Sequence, residues 1–137
     1  MSKHEGESRR HIVVYVAGPY RGKCPNDTEN NIIAARAVAE QVWQAGFTAL
    51  CPHMNSAHMD GLIDDDGFLE GGLELLKRCD VILLSGAWTL SEGCRREHVY
   101  AERHKIPMAF SVGALDAHEG AYTWAGAAQG PRQGPGR

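Results

Sequence analysis

Residues 79–97 run Cys79-Asp80-Val81-Ile82-Leu83-Leu84-Ser85, then a short loop, then Ser91-Glu92-Gly93-Cys94-Arg95-Arg96-Glu97. The apolar run Val81–Leu84 fits a strand buried on both faces. Ser91 is suited to cap a following helix. On that helix Cys94, Glu97, His98 and Ala101 fall at i, i+3, i+4 and i+7, the stripe expected to face the core. Glu97 therefore stands on the inward stripe near the helix start, where a carboxylate is costly unless something uses it. A strand feeding a helix in this way places Glu97 at the carboxyl end of a strand, where open α/β sheets hold their ligands. The plainer reading is a solvated helix glutamate beside Arg95, Arg96 and His98.

The same alternation extends on both sides. His11–Ala17 is a β-branched apolar run, followed by the turn Gly18-Pro19-Tyr20-Arg21-Gly22. A helix is indicated from Thr28 to Ala45, with Ile32, Ala35, Ala39 and Val42 on one stripe and Gly46 as its stop. Phe47–Cys51 reads as a second strand and Pro52–Asp65 as a polar loop. Asp66–Lys77 reads as a helix weakened by Gly71-Gly72, with Asp65 or Asp66 as its cap. Asp80–Ser85 is the third strand, Ser91–His104 the third helix and Ile106–Phe110 the fourth strand. Strands and helices alternating at this spacing predict a three-layer α/β sandwich of the flavodoxin or Rossmann type. Its parallel sheet is expected to have four to five strands in the order 2-1-3-4. One domain is expected over 11–125, with loose tails at 1–10 and at the Gly- and Pro-rich 126–137.

The chain has 137 residues and a formal charge of −3, with no basic footprint for a nucleic acid polymer. No apolar stretch reaches transmembrane length, so no membrane partner is expected. Cys24, Cys51, Cys79 and Cys94 are widely spaced with no CxxC, which suits a reducing cytoplasm better than a disulfide scaffold. Cys51-Pro52-His53 with His58 matches no standard zinc spacing, and neither metal nor organic cofactor is expected. His53 is expected to line the crevice. Gly18–Gly22 is neither a GxGxxG fingerprint nor a P-loop. Its glycines let a ligand approach the backbone, and Arg21 is suited to a phosphate; a tight turn with a surface arginine fits equally well. Trp88, in the loop after the third strand, serves either to stack on a base or simply to pack. The Asp64-Asp65-Asp66 run reads as a solvated helix start that suits the dipole.

Three segments together carry a resemblance: Tyr15-Val16-Ala17-Gly18-Pro19-Tyr20-Arg21-Gly22; Cys79-Asp80-Val81-Ile82-Leu83-Leu84; and Ser91-x-Gly93-x-x-x-Glu97 followed by Ala101 and Ile106-Pro107. In order and spacing, over roughly residues 12–110, the chain resembles the nucleoside 2-deoxyribosyltransferase-like superfamily, in particular its small members and its nucleotide N-hydrolases. The resemblance implies Glu97 as the nucleophile toward C1' of a sugar, oriented by Tyr15. It implies the Gly18, Pro19, Tyr20 and Arg21 loop beside base and sugar, and Ser91 with Gly93 at a 5'-phosphate. A hydroxyl over helix amides attracts phosphate where a carboxylate would repel it. The expected partner is a nucleoside 5'-monophosphate, and the expected reaction is hydrolysis of its N-glycosidic bond to base and (deoxy)ribose 5-phosphate. The alternatives are deoxyribosyl transfer between free nucleosides and a catalytically weak nucleotide-binding protein. The last is motivated by Gly72, which stands where the resemblance implies an aspartate that assists the leaving base. Glu70, Glu74, Asp66 and His53 are the candidates to replace it. A homodimer or larger homo-oligomer is expected from the resemblance and from Tyr122 and Trp124 on a short segment with little core left to join.

Overall fold

The computed structural model describes residues 9–116. The segment with Tyr122 and Trp124, and the tail at 126–137, lie outside the described residues. The strands are β1 (Arg9–Ala17), β2 (Phe47–Leu50), β3 (Val81–Leu84) and β4 (Met108–Ala109). The helices are α1 (Pro25–Gln44), α2 (Pro52–Ser56), α3 (Asp65–Leu76) and α4 (Glu92–Arg103), with a 3-10 turn at Trp88–Leu90. The four strands form a parallel sheet in the order β2-β1-β3-β4. β1 and β3 are thus the inner pair, which explains the unbroken apolar runs Ile12–Ala17 and Val81–Leu84.

Side chains along the inner strands alternate between two cores. Ile12, Val14 and Val16 of β1 and Val81 and Leu83 of β3 join Ala35, Ala39 and Val42 of α1 with Phe47 and Leu115. Tyr15, Ala17, Ile82 and Leu84 join Leu76 of α3 with Cys94 and Ala101 of α4 on the opposite face. Helices on both faces complete the three layers. Each of the valine, leucine, isoleucine and phenylalanine side chains among them contributes about 1.5–3 kcal/mol on full burial.

Several boundaries differ from those expected, each for a local reason. β1 begins at Arg9, so Arg9 and Arg10 belong to the sheet and not to a tail. Arg9 is only 3% exposed; it bonds Asp116 at 2.7 Å and the Ala45 carbonyl at 2.5 Å, and its guanidinium lies over the Phe47 ring. A double arginine before an apolar run carries no sequence sign of such burial. α1 begins at Pro25, whose fixed φ suits the first turn, and Gly46 ends it at φ 101°. The loop expected at 52–65 contains α2, also opened by a proline. α3 is capped by Asp64 rather than Asp65 or Asp66, its carboxylate accepting from Gly67 N at 2.7 Å. Asp80 accepts from Val13 N at 2.8 Å and ties the start of β3 to β1.

Candidate active site

The sheet order reverses between β1 and β3, and there the loops after the two strands diverge to opposite sides. Crevices in open α/β sheets form at such a point. A cavity of about 600 Å³ lies here, floored by Tyr15 and Glu97 and walled by both loops and by α3 and α4. Its size is that of a small-molecule site.

The floor is a single hydrogen-bonded pair. Tyr15, fully buried in β1, donates from Oη to Glu97 Oε2 at 2.5 Å. Burial, with the adjacent Glu97 charge, keeps the phenol proton well above its usual range, so Tyr15 is a fixed donor. Burial also pushes Glu97 up, to about 7, against the downward pull of the Tyr15 bond. Near neutrality the carboxyl is divided between its acid form and its nucleophilic, ionised form.

Gly72 of α3 closes in on this pair. A Cβ there would stand 3.0 Å from Tyr15 Oη and 3.9 Å from Glu97 Oε2. The glycine that weakens α3 locally is therefore what lets the helix pack on the tyrosine. The candidates to replace an acid at this position do not gather around it. Glu74 faces Lys77 and Arg78 on the surface, and Glu70 does not line the cavity. Asp66 does line it but is 86% exposed, with Arg96 at 3.6 Å. His53, buried in α2, has Nε2 2.9 Å from the Pro19 carbonyl. A carbonyl only accepts, so Nε2 carries the hydrogen. Burial lowers the imidazole pKa and keeps the ring neutral.

Ser91 caps α4 by accepting from Cys94 N at 3.2 Å, and its own O–H remains to donate. Gly93 lies beside it in the cavity wall. In the first loop Gly18, Pro19, Tyr20 and Arg21 line the opposite wall. Arg21 is not a free cation. It spans the mouth to Asp65 at 2.9 Å and Asp60 at 3.4 Å, and Tyr20 Oη donates to Asp60 at 2.9 Å. Trp88, like Glu70 and Glu74, lies outside the cavity lining. It stacks on His98 and Phe110, ring centroids 5.0 and 5.9 Å away, and packs against the core. The apolar residues its loop presents to the cavity are Ala87 and Leu90, the latter 82% exposed.

Residues 12–111 match the family model described as a domain of unknown function, DUF7768. The chain belongs to that family. No curated protein matches it. The DUF7768 match contains every cavity residue named above, and it stops short of Arg9 and Asp116, which are remote from the cavity.

Within this DUF7768 domain the sequence reading missed Arg96, Asp60, Asp65 and Leu90 as cavity residues. Arg96 was legible in principle: it sits three residues after Gly93, on the adjoining helix face. Asp60 and Asp65 come from segments read as solvated, and only the tertiary fold brings them opposite Arg21.

The Tyr15–Glu97 bond carries a signed prediction. Removing the hydroxyl in Tyr15→Phe removes the one influence that lowers the Glu97 pKa. The rising limb of a pH–rate profile that depends on ionised Glu97 then moves to higher pH, with a smaller loss at high pH than at neutrality. An unmoved limb would show that the hydroxyl does not tune this carboxyl.

Proposed function

We propose that the protein hydrolyses the N-glycosidic bond of a nucleoside 5'-monophosphate, with Glu97 as nucleophile. The observation that carries this reading is the Tyr15–Glu97 pair at the floor of a cavity at the sheet's switch point. The ionised carboxylate attacks C1' as positive charge develops on the sugar, the base departs, and water cleaves the glycosyl ester. Tyr15 holds the attacking oxygen in place. The Ser91 hydroxyl and the first amides of α4 are suited to the 5'-phosphate. Phe68 and Leu90 offer apolar surface to the base. The likeness to the nucleoside 2-deoxyribosyltransferase-like superfamily supports the same assignment of roles, and under it a homodimer is part of the proposal.

Release of free base from a panel of nucleoside 5'-monophosphates tests the reaction. Base exchange without net release would indicate a transferase, and saturable binding without turnover a nucleotide-binding protein. Ser91→Asp tests the phosphate role cleanly, because aspartate caps a helix about as well as serine. The fold should persist while a carboxylate replaces the donor. We expect KM for the nucleotide to rise about tenfold or more, the loss of a charge-assisted hydrogen bond of about 1.5–3 kcal/mol, with use of the free nucleoside unchanged or improved. Equal losses for both would remove the phosphate from this position.

A further inference from the structure

When an N-glycosidic bond to a neutral base breaks, its electron pair moves onto the ring and the base leaves as an anion unless it receives a proton. A placed general acid is worth about 10²–10⁴-fold for that step. Among the described residues no acid placed at the Tyr15–Glu97 pair is free to supply one: Glu92 is exposed at the start of α4, and the Ser91 hydroxyl is a far weaker acid at the helix cap. Tyr15 commits its hydrogen to Glu97. His53 commits its Nε2 hydrogen to the Pro19 carbonyl. Gly72, on the side of the pair where a third group would stand, has no side chain, and a Cβ there already touches Tyr15 Oη at 3.0 Å. Asp60 and Asp65 stand at the mouth paired with Arg21, and Asp66 faces Arg96.

From this geometry we infer that the site acts on nucleotides whose base is already a cation, such as a pyridinium or an N7-alkylated purine; the inference rests on the N-glycosidase reading above. Such a base leaves neutral. Glu97 Oε bonds to C1', the C1'–N bond breaks, and its electron pair cancels the positive charge of the ring, so no proton moves. Water then adds to C1', the C1'–O bond to Glu97 breaks back to a carboxylate, and the surplus proton of the water passes to solvent. The charges around the cavity favour the same class: Asp60, Asp65, Asp66, Glu92 and Glu97 line it against Arg21 and Arg96. A cationic ring is attracted by the excess of carboxylate, while its 5'-phosphate is left to Ser91 and the helix amides.

The test is base release from matched pairs at one pH: N7-methylguanosine 5'-monophosphate with guanosine 5'-monophosphate, each in ribo and 2'-deoxy form, and nicotinamide mononucleotide with its dihydro form. Glu97→Gln protein serves as the blank for spontaneous hydrolysis, which is itself faster for the cations. We expect kcat/KM at least about 10²-fold higher for the cationic member of a pair, the factor a general acid would otherwise level. Equal or better use of the neutral member overturns the inference and leaves the N-glycosidase reading standing. Release from ordinary neutral nucleotides but from neither member of these pairs does the same. No release from any nucleotide above the blank overturns both.

Discussion

Glu97→Gln lowers turnover of a nucleoside 5'-monophosphate by about 10³-fold or more, the scale expected for loss of a nucleophile. The amide keeps the size of the side chain and accepts the Tyr15 hydrogen bond, so the cavity keeps its shape. The same substitution has an opposite effect on stability. In the folded protein Glu97 is raised from its ordinary 4.5 to about 7, so the native state binds this proton more tightly than the unfolded chain. That contribution is full below about pH 4.5 and is lost as pH rises through about 7. The amide does not titrate. Between pH 5 and 8 the variant therefore gains on the wild type, by an amount on the order of 1–3 kcal/mol at the upper end. Urea unfolding at the two pH values, beside a base-release assay, checks both halves. Near-full activity would make Glu97 structural, and a parallel pH dependence of stability would show that its carboxyl is not held protonated by burial.

Leu83→Ala has the opposite profile, a large loss of stability with little effect on chemistry. Leu83 is 1% exposed on β3, between β1 and β4, and packs on the α1 face with Val14, Val16, Val81 and Phe47. Truncation removes buried methyl groups and leaves a cavity that rigid neighbouring strands fill poorly, at a cost of about 2–5 kcal/mol. Against a total of about 5–15 kcal/mol for a domain, that is a large share. Tyr15 belongs to the other face of the sheet, so kcat/KM of the folded variant should stay close to that of the wild type. The urea midpoint should fall with an unchanged slope. A loss below about 1 kcal/mol would contradict the packing of β3 described here.

Strand order and the two-faced packing were legible because Val81–Leu84 and Ile12–Ala17 are apolar without interruption and the α1 stripe recurs at helical spacing. Ser91 and Glu97 were legible as cap and inward carboxylate for the same reason: both follow from position on one helix. What escaped were contacts that join segments distant in sequence. Asp60 and Asp65 meet Arg21 only because α2 and α3 fold over the first loop. Trp88 was undecided between two uses, since nothing local to it reveals the partners His98 and Phe110. Gly72 read as a weak point in a helix, and its role as a close approach to Tyr15 depends on a strand 57 residues earlier.

Arg9 opens the first strand, Asp116 closes the described chain, and their side chains meet at 2.7 Å. Positions 9 and 116 therefore lie side by side at the amino end of β1, and the cavity opens at the carboxyl ends of the strands. The ion pair thus fastens the first strand to a segment 107 residues later at the end of the sheet away from the mouth, so loosening it would fray that edge and leave the Tyr15–Glu97 floor in place.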